Sequence, residues 1–228
     1  MKPKLVVAAV TLTVAVIGPA AAQAQTTTTT GAAAGRRAEL RSDAISVLKA
    51  RGDFEIDRRL RTLADLTRRV HDATHLTAAD RDALTTQLAA ETSGLTALKA
   101  KIDADTDLVT LRADLRDIVT QYRVYLLMDP KVHLVIGADR VLAAADAFDK
   151  VFAKLDGKPG IDQAKLADAK AKVAEARKLA GAVPGAVIPL QPPDYPGNRP
   201  ALLSARDSLR TARQDLRAAR AEVGRLVP

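Results

Sequence analysis

Cysteine and tryptophan are both missing from this chain of 228 residues, which carries only three tyrosines, three phenylalanines and two methionines. Without cysteine there is no disulfide framework and no lipid attachment through an N-terminal thiol. So few aromatics leave the core to aliphatic side chains, alanine prominent among them. That suits close helix packing better than a sheet, where β-branched and aromatic residues are favoured. No alternating strand pattern of useful length occurs, and past residue 24 there is no second long apolar run. The marks of common catalytic machinery are also missing. There is no glycine-rich phosphate loop, no nucleophile elbow, and no serine, histidine and acid in a familiar local context. The expectation is therefore a protein that is not an enzyme and uses no cofactor.

What is present is an ordinary globular balance, 47% hydrophobic and 27% charged, which is not that of a disordered chain. Residues 1–24 have the three parts of a secretory signal. Lys2 and Lys4 precede an apolar run from Leu5 to Ile17, and small residues follow up to Ala24, after which cleavage fits the small-x-small rule. The run is too short for a comfortable membrane span. Export is expected, to a secreted or extracytoplasmic location associated with the cell envelope. Removing the two leader lysines takes the formal charge from +8 to +6. That excess favours contact with phosphates, anionic lipid heads or acidic wall polymers, and serves solubility equally well.

Residues 25–35, a threonine run followed by glycine and alanine, read as a flexible tether. Helical periodicity begins at Arg36, with Leu40, Ile45, Leu48, Ile56, Leu60, Leu63, Leu66 and Val70 on one side and Gly52 as a candidate kink. Thr77 followed by Asp80 resembles a capping box that starts a helix at Ala78. That helix carries Leu84, Leu88, Leu95, Leu98 and Ile102. Asp103 to Asp107 then cap a central helix extending to Pro130, in which Leu108, Leu111, Leu115, Ile118, Tyr122 and Tyr125 recur every three or four residues. Asp129 and Pro130 read as N-cap and first-turn proline of a helix bearing Leu134, Ala138, Val141, Ala145, Phe148, Phe152 and Leu155, ended by Gly157 to Gly160. A single helix cannot shelter such a seam, so residues 36–156 are expected to form a four-helix bundle.

Residues 161–228 read as a separate, coiled-coil-like Ala-rich helical pair. Leu166, Ala169, Val173, Ala176 and Ala180 form one seam. Leu202, Leu209, Leu216 and Val223, with Ala205, Ala212, Ala219 and Leu226, form the other. Between them a proline-rich connector spans residues 181–200. The fold class is all-α, an antiparallel helical bundle with this additional pair.

On the last helix Arg206, Arg210, Arg213, Arg217 and Arg220 are spaced four, three, four and three, and so make one stripe. The connector is long enough to permit a parallel arrangement as well; an antiparallel pairing brings Lys165 and Lys172 to Asp215 and Glu222 on one flank. On the other it sets Lys170 and Arg177 beside Arg206, Arg213 and Arg220, a basic groove without an acid. Guanidinium forks suit phosphate and carboxylate, so these residues are the candidate anion-binding set. A solvated or internally paired arginine face is the competing reading.

Other patterns point nowhere specific. Asp103, Asp105, Asp107 and Asp114 match calcium-loop positions, but Leu108 stands where the loop needs glycine. His71 and His75 have helical spacing without a glutamate after the first, and His133 lacks carboxylates at di-iron spacing. No metal site is expected. Arg51, Gly52 and Asp53 spell an integrin tripeptide inside a helical run instead of a protruding loop.

Leu98 to Asp107, LKAKIDADTD, with Tyr122 to Tyr125 and then Asp139 and Arg140, resembles a group of uncharacterised exported, helix-rich bacterial proteins of high-GC Gram-positive type. The likeness covers roughly Asp53 to Arg140 and implies export and helices, but no activity and no functional residue.

Three functional expectations follow. The leading one is a non-enzymatic envelope scaffold or binding protein whose basic final helix contacts anionic wall polymer or a membrane surface. The second is a helix-mediated protein-interaction or self-association module, and the third an amphipathic lipid-binding bundle. No specific nucleic acid is expected.

Overall fold

The structure is a computed structural model that describes residues 19–226, with side chains from residue 31 onward. It is an all-α bundle, without a strand among the described residues. In chain order the helices are α1 (Pro19–Asp72), α2 (Ala78–Ala104), α3 (Leu108–Thr120), α4 (Asp129–Leu155), α5 (Gln163–Val187) and α6 (Arg199–Leu226). A π-helical turn, Val124–Met128, leads into α4, and a short 3-10 turn, Pro192–Asp194, lies between α5 and α6. No helix among the described residues is long and apolar enough to cross a membrane.

The chain divides into two units after Ser46. Most of the expected leader, residues 1–18, lies outside the described residues. The segment 25–35 differs from the flexible tether expected of it, because α1 is helical throughout. The threonines are flanked by alanine clusters, and threonine costs at most about 0.7 kcal/mol per residue against alanine, so no residue there stops a helix. Leu40, counted with the seam, is 69% exposed.

In the second unit, Val47–Pro228, the seams meet as their spacing requires. All five expected residues of α2 are buried, as are all five of α5. Arg51, Gly52 and Asp53 lie inside α1. Gly52 does not break the helix, and its role is steric. A β-carbon there would stand 2.6 Å from Leu115 Cδ2, so the missing side chain admits α3 close to α1.

Capping follows local chemistry. Thr77 Oγ1 accepts from the Asp80 amide at 3.0 Å, and Asp107 accepts from the amides of Val109 and Thr110 at 3.0 Å each. Across the α2–α3 corner Lys101 reaches the buried Asp114 at 2.7 Å, so the LKAKIDADTD stretch is accounted for by packing. Arg81 closes the other end of α1. Its guanidinium donates to the carbonyls of Val70, His71 and Ala73 at 3.1, 2.7 and 2.6 Å. A cation on the last carbonyls of a helix both satisfies them and opposes the macrodipole. Replacing Arg81 with alanine is expected to cost about 2 kcal/mol in urea denaturation, with lysine recovering part of it. A loss under 0.5 kcal/mol would remove this role for Arg81.

The central helix expected over 105–130 is interrupted. α3 stops at Thr120, Arg123 takes a left-handed conformation with φ of 40°, and the π turn follows. No glycine or proline marks the break. The bulky residue holds its strained backbone while its guanidinium packs 4.8 Å above the ring of Tyr195. α4 therefore continues directly from the turn, with Asp129 in its first turn and not at its N-cap.

The helical pair is not separate either, since α4 packs against both α5 and α6. Lys170 meets Asp156, and Arg177 meets Asp146 and Asp149, along the α4–α5 contact. These pairs run in opposite order on the two helices, so α4 and α5 are antiparallel. The Lys172 to Glu222 pair at 2.7 Å lies on the expected flank of α5 and α6. Lys165 turns instead to Asp162 at 3.1 Å, within its own first turn.

The connector is shorter than 181–200. α5 runs through Pro184 to Val187, because Val183 and Val187 extend its buried seam and the gain in packing outweighs the lost proline amide. The rest of the connector is held from below by Lys131. This lysine is completely buried and donates to Gln87 Oε1 at 2.7 Å, Leu190 O at 2.5 Å and Ile188 O at 3.3 Å.

Candidate functional site

The break at Arg123 swings Tyr125 and Leu126 out of the α3 line toward the first half of α4. Together with the end of α1, Tyr195 and the first half of α6, they enclose a groove of about 920 Å³. That volume lies toward the upper end of small-molecule sites. The floor is aliphatic, drawn from Leu134, Ile136, Leu202 and Leu209, and two walls carry leucines that face solvent, Leu126 at 43% and Leu203 at 45% exposure.

Five arginines line this groove from three elements: Arg69 of α1, Arg140 of α4, and Arg199, Arg206 and Arg213 of α6. All five are exposed, and none has a carboxylate partner among the described residues. Two more guanidiniums, of Arg58 and Arg59, lie 5.0 and 5.1 Å from the Tyr125 ring centre, and Arg58 Nε donates to the Tyr125 hydroxyl at 3.0 Å. That ring is therefore braced from behind. Gly137 of α4 brings Arg213 close, since a β-carbon there would stand 2.9 Å from Arg213 Nη2 and 3.2 Å from Leu209 Cδ1.

The acids of the groove are Asp72 and Asp139. Asp72 is exposed at the rim, 3.4 Å from His71. Asp139 is 6% exposed, accepts no hydrogen bond among the described residues, and has its Oδ1 shut away from water. His75 and His133 also reach the groove, each beside a carboxylate, Asp146 at 3.8 Å and Asp129 at 3.4 Å.

The anion-binding set drawn from sequence is thus partly assembled. Arg206 and Arg213 stand together in the groove, while Arg217 and Arg220 lie further along the same exposed face of α6. Arg210 pairs with Asp207 at 3.0 Å one turn back. Lys170 and Arg177 belong elsewhere. The acid-free flank expected for them is filled by α4, whose C-cap Asp156 takes Lys170 at 3.0 Å and whose Asp146 and Asp149 take Arg177 at 2.7 Å each. Pairing α5 with α6 alone left out the third helix and its acidic face. Arg69 and Arg140 join the stripe only through the tertiary fold, since they come from α1 and α4. Arg199 shares the heptad position of Arg206 and Arg213 on α6, but it falls in the stretch read as connector.

No family model matches the chain, and neither does any curated protein or solved structure.

Proposed function

We propose that the protein is an exported, non-enzymatic helical binding protein that takes an anionic polymer of the cell envelope into this groove. The observation that carries the reading is five arginines on one concavity without a carboxylate partner among the described residues. Like charges so gathered repel one another, and an anion relieves the repulsion while accepting their N–H groups. Elsewhere in the same unit Lys99, Lys101, Lys170, Lys172 and Arg177 are matched to carboxylates at 2.7 to 3.0 Å. A concave site with walls on three elements suits a strand of polymer better than the flat plane of a bilayer.

The test is binding to poly(glycerol phosphate) across a salt series. Changing Arg206 and Arg213 together to glutamine is expected to weaken binding at least tenfold at low salt. It should also flatten the dependence of log K on log salt by roughly 1.4 to 1.8, the share of two lost phosphate contacts. The matching change at Arg217 and Arg220, outside the groove, is expected to act less than twofold. Equal losses from the two pairs would remove the groove from the account. Binding to phosphatidylglycerol vesicles without polymer binding would favour the lipid-binding bundle instead.

Self-association through the small residues of the α6 seam is less favoured, because Ala205, Ala212 and Ala219 are buried within the chain itself.

A further inference from the structure

Resting on that reading of the groove, we infer that its ligand is a phosphate ester whose carbon skeleton carries a hydrogen-bond donor, hydroxyl or ammonium, held by Asp139 while the arginines hold the phosphate. A groove built for anions alone has no use for a carboxylate in its wall. Asp139 repels a bare anion. Its Oδ1 is shut away from water, so the carboxylate meets the groove through its other oxygen, and neither oxygen accepts a hydrogen bond among the described residues. A carboxylate so far withdrawn from water gains from a donor that reaches that second oxygen. An O–H or N–H group from the ligand supplies it, and the phosphate is then directed away from Asp139 toward Arg206 and Arg213. Recognition becomes polar at both ends, with an order along the groove. An unfunctionalised alkyl phosphate can use only the arginines and the exposed Leu126 and Leu203.

Three small probes separate these contributions on the full-length protein: propyl phosphate, glycerol 3-phosphate and phosphoethanolamine, titrated by calorimetry or by NMR shifts of the groove residues. The wild-type protein is expected to bind at least one donor-bearing ester about tenfold more tightly than propyl phosphate, and which one it prefers distinguishes hydroxyl from ammonium. Asp139→Leu is expected to abolish the preference while leaving propyl phosphate within threefold. Asp139→Asn, which keeps an acceptor oxygen, should retain part of it. Because Asp139 has no hydrogen-bond or ion-pair partner among the described residues, neither change is expected to lower Tm, so lost preference will not reflect lost fold. Equal binding of all three esters, or a preference that survives Asp139→Leu, would overturn this inference and leave the anion groove standing. Binding of none would overturn both.

Discussion

Replacing Lys131 with alanine should destabilise the protein by about 4 kcal/mol, a fall of roughly 10 °C in Tm for a chain of this size. The ammonium group is completely buried, and each of its three N–H bonds has an acceptor, on Gln87, Ile188 and Leu190. Deleting it strands the Leu190 carbonyl and Gln87 Oε1, and opens a cavity where the stem had been. Ile188 O is better protected, because Gln87 Nε2 also donates to it at 2.9 Å. Lys131→Met keeps the stem and relieves the charge, so about half the loss is expected. Thermal and urea unfolding of both variants check this. Wild-type stability in the alanine variant would mean that the clasp between α2 and the connector carries no weight.

A second large effect concerns pH. Glu91 lies near Lys131 without forming an ion pair among the described residues. Burial lifts its carboxyl from the ordinary 4.5 to about 7, against the pull of Lys131. Burial likewise lowers Lys131 from 10.5 to about 8, against the pull of Glu91. Between pH 4.5 and 7 the folded protein therefore binds more protons at Glu91 than the unfolded chain does, so stability falls as pH rises. Between pH 8 and 10.5 the unfolded chain binds more protons at Lys131, so stability rises again. The joint contribution is a trough between about 7 and 8.

The acid limb should span roughly 2 kcal/mol, less than about 1.36 kcal/mol per unit would give in full, because Glu91 still meets some water. Glu91→Gln removes that limb and leaves the alkaline one. The Tyr122 hydroxyl is pushed above its ordinary 10.0 by burial, and further by Glu91 and Asp117. Urea midpoints at pH 5, 7.5 and 9.5 are the measurement. A wild-type profile already flat from pH 5 to 7.5 would show that Glu91 is not held from water.

The repeating seams were legible because burial in a helix pair depends on spacing alone. Leu84 to Ile102 and Leu166 to Ala180 are buried as their intervals require. What sequence could not show were features fixed by a third element. The interval pattern runs unbroken through Tyr122 and Tyr125, yet the chain turns at Arg123, where stacking on Tyr195, more than seventy residues later, helps hold a backbone the residue would not choose alone. Lys131 follows a proline at the start of a helix and reads as a surface residue. Only the later arrival of the connector carbonyls explains its burial.

The site divides in the same way. The arginines of α6 share one face by helical geometry, so Arg206 and Arg213 were visible. The loss of Lys170 and Arg177 to Asp156, Asp146 and Asp149 needed α4 in place, and so did the gain of Arg69 and Arg140.

Gly137 leaves open the space over bare main chain that the Arg213 guanidinium takes, and a β-carbon there would stand 2.9 Å from its Nη2. Any larger residue at that position would displace the far end of this side chain. The place at which α6 can offer that charge is thus decided on α4.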